Sequence, residues 1–334
     1  MSACFSTSAG VATKAIERVP LEEIRAARAR LEGIALRTPL ARLDPDVAEG
    51  EVWIKLENLQ PIGSFKIRGA GNALAAAPPE ALTRGVYTAS AGNMAQGVAW
   101  NAGRLGIPCT VVVPEQAPAT KLAAIERLGA RAVKVSFDRW WQVMEEHRYP
   151  GLDGFFVHPF ADPLVIAGNG TIGLEILEDL PDVETIIVPF GGGGLSCGIA
   201  CTVKALSPTI RVLACEVETA APFAASLEAG GPRQVAYRKS FVDGIGGRSV
   251  FVEMWPLASG LLDGSQIVSV AEVAEAVRLL AGRHRVIAEG AGAASLAAAR
   301  RPGARRGRTV CIVSGGNIDA ARLSKILDGQ VPEG

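Results

Sequence analysis

Lys66 stands in the run Gln60-Pro61-Ile62-Gly63-Ser64-Phe65-Lys66-Ile67-Arg68-Gly69-Ala70, a lysine among apolar and small residues just after a Pro/Gly bend. A solvated lysine is a cation with no lone pair to offer. One flanked by Phe65 and Ile67 is partly desolvated, which depresses its pKa and frees the amine to attack an aldehyde. A second chemical signal is Gly191-Gly192-Gly193-Gly194, preceded by the strand-like 185–190 and followed by the helix-like 195–205. Four consecutive glycines cost backbone entropy and add no packing. They make sense where successive N–H groups turn inward around an anion at a helix N-terminus. No Lys-Ser/Thr pair follows, so the run is not a nucleoside-triphosphate loop, and a monophosphate held by backbone amides fits better. Gly168-Asn169-Gly170-Thr171-Ile172-Gly173 also matches the dinucleotide pattern G-x-G-x-x-G. Its context is wrong, because 161–167 reads as the start of a helix and the next strand ends at Pro189-Phe190 without an acid for a ribose hydroxyl.

The elements that must position these groups follow one pattern. Short β-branched runs alternate with Ala/Leu-rich amphipathic stretches: 85–88 then 93–105, 109–113 then 119–128, 132–135 then the Trp-rich segment from Arg139, 185–188 then 196–206, and 212–215 then a further helix. Gly106-Ile107-Pro108 and Gly129 stop helices where strands must begin. Strands alternating with helices of this length predict parallel sheets with crossover helices, an α/β protein whose ligands collect at the carboxyl ends of strands. Gly191–Gly194 and Ser314-Gly315-Gly316-Asn317 both fall there. The chain has 334 residues, 34 Lys+Arg against 34 Asp+Glu and 49% hydrophobic residues, which suits a compact protein of roughly two domains. Zero net charge leaves no basic footprint for nucleic acid, and the Arg300, Arg301, Arg305, Arg306, Arg308 group reads as a solvated loop. No apolar run is long enough to span a membrane and the N-terminus carries no secretory pattern, so a cytoplasmic location is expected. The six cysteines lack metal or redox spacing and read as buried, reduced thiols. A reactive lysine and a glycine phosphate cradle in one α/β chain point to pyridoxal phosphate.

Four motifs in order, Ser64-Phe65-Lys66-Ile67-Arg68-Gly69-Ala70, Ser90-Ala91-Gly92-Asn93 with Gln96-Gly97, Gly191-Gly192-Gly193-Gly194-Leu195 and Ser314-Gly315-Gly316-Asn317, resemble the threonine/serine dehydratase branch of the fold-type II, tryptophan-synthase-β-like, pyridoxal-phosphate enzymes. The likeness runs from about Leu21 to Asp319. It implies that Lys66 bonds covalently to the cofactor and then serves as acid and base, with Phe65 packing against the cofactor. Ser90, Ala91, Gly92, Asn93 and Met94 form the loop that holds the substrate carboxylate, and Asn93 also reaches the cofactor's phenolic oxygen. Gly191, Gly192, Gly193, Gly194 and Leu195 form the phosphate cradle, and Ser314 partners the ring nitrogen. The expected fold is α/β with two domains, each an open, mostly parallel sheet flanked by helices. A flexible head over 1–20 precedes a large cofactor-binding domain over 21–84 and 161–330, and a small domain over 85–160 carries the carboxylate loop. The reaction implied is loss of water and ammonia from a β-hydroxy amino acid to give a 2-oxo acid. The expected partners are a small amino-acid substrate and copies of the chain itself in a homodimer or homotetramer, with neither nucleic acid nor membrane.

The chain departs from the family pattern in three places. Met94 stands where a histidine is usual, which removes a polar contact near the substrate carboxylate. Glu216 and the Ala220 carbonyl match a divalent-cation site of some relatives, yet Pro222 replaces its second carboxylate, so no metal ligand set is assigned and a divalent cation stays open. Arg139-Trp140-Trp141 is bulky for a small-substrate pocket, and reads as interdomain packing or as a clamp for a larger β-substituent, with 3-hydroxyaspartate and phenylserine as alternatives to threonine and serine. A racemase would need a second acid/base on the opposite face, where Ala91 offers no proton. A β-replacement synthase would show an acidic residue after its lysine, where Ile67 stands. A non-catalytic cofactor-binding protein is the remaining alternative. Few residues follow Asn317, so a form without a C-terminal regulatory domain is expected.

Overall fold

The computed structural model describes residues 14–334. Its strands are Leu40–Arg42 (β1), Val52–Leu56 (β2), Val86–Ala89 (β3), Cys109–Pro114 (β4), Arg131–Val135 (β5), Phe155–Phe156 (β6), Thr185–Pro189 (β7), Arg211–Val217 (β8), Ser265–Val268 (β9) and Thr309–Val313 (β10). They form a six-stranded sheet in the order β1-β2-β10-β7-β8-β9 and a four-stranded sheet in the order β5-β4-β3-β6. Every pairing is parallel except β1 with β2, so this is an α/β chain with two mostly parallel sheets. β10 lies in register between β2 and β7, Thr309 opposite both Val52 and Thr185. The central strands β3, β7 and β10 are buried along their whole length, the mark of parallel strands covered on both faces. β5, at an edge, is partly exposed.

The helices are Leu21–Arg30 (α1), Lys66–Ala76 (α2), Pro79–Leu82 (α3), Asn93–Leu105 (α4), Ala119–Arg127 (α5), Phe137–Glu146 (α6), Pro163–Asp179 (α7), Gly194–Leu206 (α8), Pro222–Ala229 (α9), Trp255–Leu261 (α10), Val270–Leu279 (α11), Gly290–Ala299 (α12) and Ala320–Leu327 (α13). α4 buries Ala95, Val98, Ala99 and Ala102, a stripe at three- and four-residue spacing, and ends at Gly106, whose φ of 66° is the left-handed cap that a side chain resists. α7 begins with Asp162, whose carboxylate accepts the Leu164 N–H, and Pro163 in the first turn. The glycines of the G-x-G-x-x-G pattern lie inside this helix. A Cβ on Gly168 would lie 2.4 Å from the Arg68 carbonyl oxygen and one on Gly170 2.9 Å from the Gly198 carbonyl oxygen. They let α7 approach α2 and α8 closely, which accounts for the pattern without a dinucleotide.

Of the expected head over 1–20, residues 1–13 lie outside the described residues. Residues 14–20 are anchored: Val19 is buried and the Ile16 N–H donates to the Glu253 carbonyl at 2.9 Å. Cys109, Cys197, Cys201, Cys215 and Cys311 are buried free thiols whose pKa values burial raises, as expected of small core residues. Cys4 lies outside the described residues. Among the described residues no helix is long and apolar enough to cross a membrane. Arg301 and Arg308 of the basic group pair with Glu272 at 2.9 Å and Glu51 at 2.7 Å.

Candidate active site

Three loops of the six-stranded sheet leave the carboxyl ends of β2, β7 and β10, and a fourth leaves β3 of the smaller sheet. They meet around one cavity of about 360 Å³. Phe65, Lys66, Ser90, Ala91, Gly92, Asn93, Met94, Gly191, Gly192, Gly193, Gly194, Leu195 and Ser314 all line it. Four helices begin at this space without a side-chain cap, α2 from Phe65, α4 from Gly92, α8 from Gly193 and α12 from Glu289. An uncapped helix start leaves amide N–H groups unpaired and carries the positive end of the helix dipole; at α4 and α8, where small residues precede the helix, such a start suits an anionic group. At α8 the cradle needs glycine for two reasons. Gly193 has φ of 89°, and a Cβ on Gly192 would lie 2.2 Å from the Phe160 ring.

Lys66 opens α2 inside the cavity wall. Its Nζ donates to the Pro159 carbonyl at 2.6 Å and lies 5.2 Å from the centre of the Phe65 ring. Burial lowers its pKa to about 8, with the negative charge of Glu289 opposing part of that shift. The Pro159 carbonyl is itself fixed by its neighbour. His158 is buried, and its Nδ1 accepts the Phe160 N–H at 3.2 Å and the Ala161 N–H at 2.7 Å. That leaves the proton on Nε2, which donates to the Met144 carbonyl at 3.2 Å. Burial first, and then the neighbouring His147, hold His158 well below the usual imidazole range. His147 in turn stacks on His158 at 4.4 Å and meets Glu253 at 3.0 Å. With both His158 nitrogens engaged by backbone, this trio braces the chain between the two sheets.

Glu289 is a site residue that sequence reasoning does not single out. Its Oε1 accepts from Asn93 Nδ2 at 2.7 Å, while Asn93 Oδ1 accepts from Asn317 Nδ2 at 2.8 Å. Asn93 therefore ties the smaller sheet to two loops of the larger one. Burial, with the charge of Asp243 next, raises the Glu289 carboxyl to about 7, and the Asn93 amide opposes this. Lys121 of α5 and Asp243 pair at 2.7 Å across the same mouth. A Cβ on Gly315 would lie 2.6 Å from Glu289 Oε1, so the glycine of the last motif makes room for this acid.

Beneath α2 lies a buried charge cluster. Arg68 grips Glu57 through two hydrogen bonds of 2.8 Å and Glu175 through bonds of 2.6 and 3.0 Å. Lys55 reaches Glu175 at 2.6 Å and the Thr38 carbonyl at 2.6 Å. Two cations and two carboxylates balance, and Arg68, two residues from Lys66, fixes the start of the helix that presents it.

Glu216, the candidate cation ligand, is engaged by its neighbours. Glu216 Oε1 accepts the Phe223 N–H at 2.8 Å, and Oε2 accepts the Ala224 N–H at 2.8 Å and the Ser265 hydroxyl at 2.7 Å. The carboxylate caps α9 with both oxygens, and Pro222 supplies no second one.

Comparison with known proteins agrees with this geometry. The family model described as pyridoxal-phosphate dependent enzyme matches residues 31–315. The L-threonine ammonia-lyase of Thermotoga maritima is 41% identical over 316 residues, covering 93% of this chain and 78% of that protein. The catabolic L-threonine dehydratase of Escherichia coli strain K12 is 38% identical, covering 92% of this chain and 96% of that one. Among solved structures, a maize serine racemase superimposes with a TM-score of 0.85 at 31% identity, covering 94% of this chain and 98% of that chain. The processed form of threonine deaminase isoform 2 from Solanum lycopersicum gives 0.83 at 30% identity, covering 98% and 99%.

Proposed function

The chain belongs to the pyridoxal-phosphate dependent enzymes, and from that premise we propose how its residues remove water and ammonia from an amino acid. It is an ammonia-lyase of the threonine/serine dehydratase type, converting a β-hydroxy amino acid to a 2-oxo acid and ammonia. The observation that carries the reading of the site is a buried lysine sharing one cavity with the glycine start of α8 and the uncapped start of α4.

Gly191, Gly192, Gly193, Gly194 and Leu195 at the start of α8 hold the cofactor phosphate, Ser314 hydrogen-bonds its ring nitrogen, and Phe65 packs beside it. The glycine cradle that Phe160 backs supports this assignment, since side chains there have no room. When bound, pyridoxal phosphate supplies an electrophilic aldehyde and a conjugated ring that takes up the charge left when the α-proton departs. Lys66 is the residue that would hold that aldehyde, and its Nζ, freed when the substrate binds, would take the α-proton, a role that a lowered pKa suits. Ser90, Ala91, Gly92, Asn93 and Met94 receive the substrate carboxylate at the start of α4, which orients the α-hydrogen toward Lys66. Ser314 offers a neutral hydroxyl and not a carboxylate, so it would not hold a full proton on the ring nitrogen, an arrangement that would favour loss of a β-hydroxyl. Ala91 presents a methyl group, so a proton returned to the opposite face has no donor there.

Residues 85–160 act as a small domain over 21–84 and 161–330, supported by their own four-stranded sheet. Closure of the two on substrate excludes water from the cleft. A homodimer or homotetramer and a cytoplasmic location belong to the same reading. The five buried free thiols support a reducing compartment. The test is release of a 2-oxo acid and ammonia in equal amounts from L-threonine and L-serine by the holoenzyme. A protein that binds these amino acids, changing the cofactor spectrum, without releasing either product would overturn the lyase reading.

A further inference from the structure

The cavity has two unlike ends. One adjoins a second cavity with which it shares Gly92, Asn93, Lys121, Asp243 and Glu289, and this is the polar end, where α4 offers its amides. The other adjoins a cleft with which it shares Phe137, Trp141 and Ser249. Around that end Phe137, Trp140 and Trp141 of α6 face Phe251 from the larger sheet's side. Ring centres lie 5.1 Å apart for Trp141 and Phe251, 5.6 Å for Phe137 and Trp140, and 4.8 Å for Phe251 and Phe160. The thioether of Met144, buried, packs with them.

Among the described residues, the cations lining the cavity are Lys66, bonded to the Pro159 carbonyl beside Phe160, and Lys121, held by Asp243. Arg139 turns away, 5.6 Å over Tyr149, and Arg248 lies 5.0 Å over the Phe137 ring, lining the neighbouring cleft and not the cavity.

If the substrate carboxylate is held at α4, the aromatic end is the apolar wall available to its side chain. We propose that the aromatic end is the subsite for the β-substituent and that it selects a β-hydroxy amino acid bearing an aryl group on Cβ over one bearing hydrogen, methyl or carboxylate. The inference rests on the lyase reading above. The reaction keeps the same balance: the α-hydrogen and the β-hydroxyl leave as water, and water then replaces the nitrogen to give an aryl-substituted 2-oxo acid and ammonia. Aryl groups gain edge and face contacts with Trp141 and Phe251, whereas a β-carboxylate would be desolvated among these rings and, among the described residues, would find no arginine lining the cavity to pair it.

The test uses the holoenzyme with threo-phenylserine, L-threonine, L-serine and 3-hydroxyaspartate, reading 2-oxo acid release. The expected kcat/KM for phenylserine exceeds that for threonine by about tenfold or more, the scale on which apolar pockets discriminate. Trp141→Ala lowers that ratio by at least about tenfold, and Trp141→Phe preserves most of it. L-Phenylalanine, which lacks the leaving hydroxyl, gives saturable quenching of tryptophan fluorescence that L-alanine does not. Threonine turned over as well as phenylserine, a preference for 3-hydroxyaspartate, or a ratio indifferent to Trp141→Ala overturns the aryl subsite and leaves the lyase standing. No 2-oxo acid from any of the four overturns the lyase reading and the subsite with it.

Discussion

Asn93 and Glu289, 196 residues apart in the chain, meet at 2.7 Å across the mouth of the cavity, one from each sheet. The contact joins the loop proposed to receive the substrate to a buried acid whose protonation changes near neutral pH.

That acid gives a pH-dependent stability whose sign is fixed. Glu289 sits at about 7 in the folded chain against an ordinary 4.5, so between those values the folded state binds more protons than the unfolded one. Its contribution is complete below 4.5 and is lost as the pH rises to about 7, on the order of 3 kcal/mol in all. Urea denaturation of the apoprotein across this range reads the slope, and Glu289→Gln flattens it. An unchanged slope in the variant would assign the titration elsewhere.

Borohydride reduction of the holoprotein is expected to fix the cofactor to Lys66. Peptide mass spectrometry locates the adduct, and Lys66→Ala abolishes turnover while far-ultraviolet circular dichroism persists. An adduct on Lys55 or Lys121 would contradict the assignment.

Gly192→Ala sets a methyl group against the Phe160 ring at 2.2 Å, so the cradle must shift. Cofactor affinity falls by at least about tenfold, roughly 1.4 kcal/mol. Adding Phe160→Ala restores part of it, because the obstructing ring is gone. Titration of the apoprotein followed by visible absorbance measures both, and a single variant with native affinity would show that the cradle tolerates a side chain.

Arg68→Met leaves the buried carboxylates of Glu57 and Glu175 with Lys55 as their remaining cation. Breaking a buried pair from one side costs about 3–5 kcal/mol, so the denaturation midpoint drops steeply. Arg68→Lys restores charge but not the two-sided grip, and recovers only part of the loss.

Ala91→Ser places a hydroxyl where the wild type has a methyl group. Chiral chromatography of L-serine reactions is expected to detect negligible D-serine from the wild type and a raised ratio of racemisation to elimination in the variant. Rapid D-serine formation by the unmutated protein would reveal another donor on that face.

The motifs legible in the sequence are those whose chemistry depends on backbone. Glycine runs and small-residue loops declare themselves locally, which is why Lys66, Gly191–Gly194, the loop from Ser90 and Ser314 come together in one cavity. Partners brought from afar do not. Glu289 reads as an acid before a small-residue helix, and only burial against Gly315 and Asn93 makes it part of the site. β2 is hidden in the sequence because Lys55 interrupts its apolar run, and Lys55 is wholly buried because Glu175, 120 residues on, neutralises it. Phe160 reads as one apolar residue among many, and its role emerges only where its ring closes on Gly192. The partners of Glu216 need the fold too, since its oxygens accept from amides of the next helix.

The uncapped start of α8 also bears on how the protein is handled. A cradle of main-chain amides recognises a tetrahedral dianion by charge and shape and not by what is attached to it. Inorganic phosphate or sulfate in a purification buffer will occupy the same amides, protecting the apoprotein against heat while slowing its reconstitution, so chloride-based buffers are the ones in which the cofactor loads fastest.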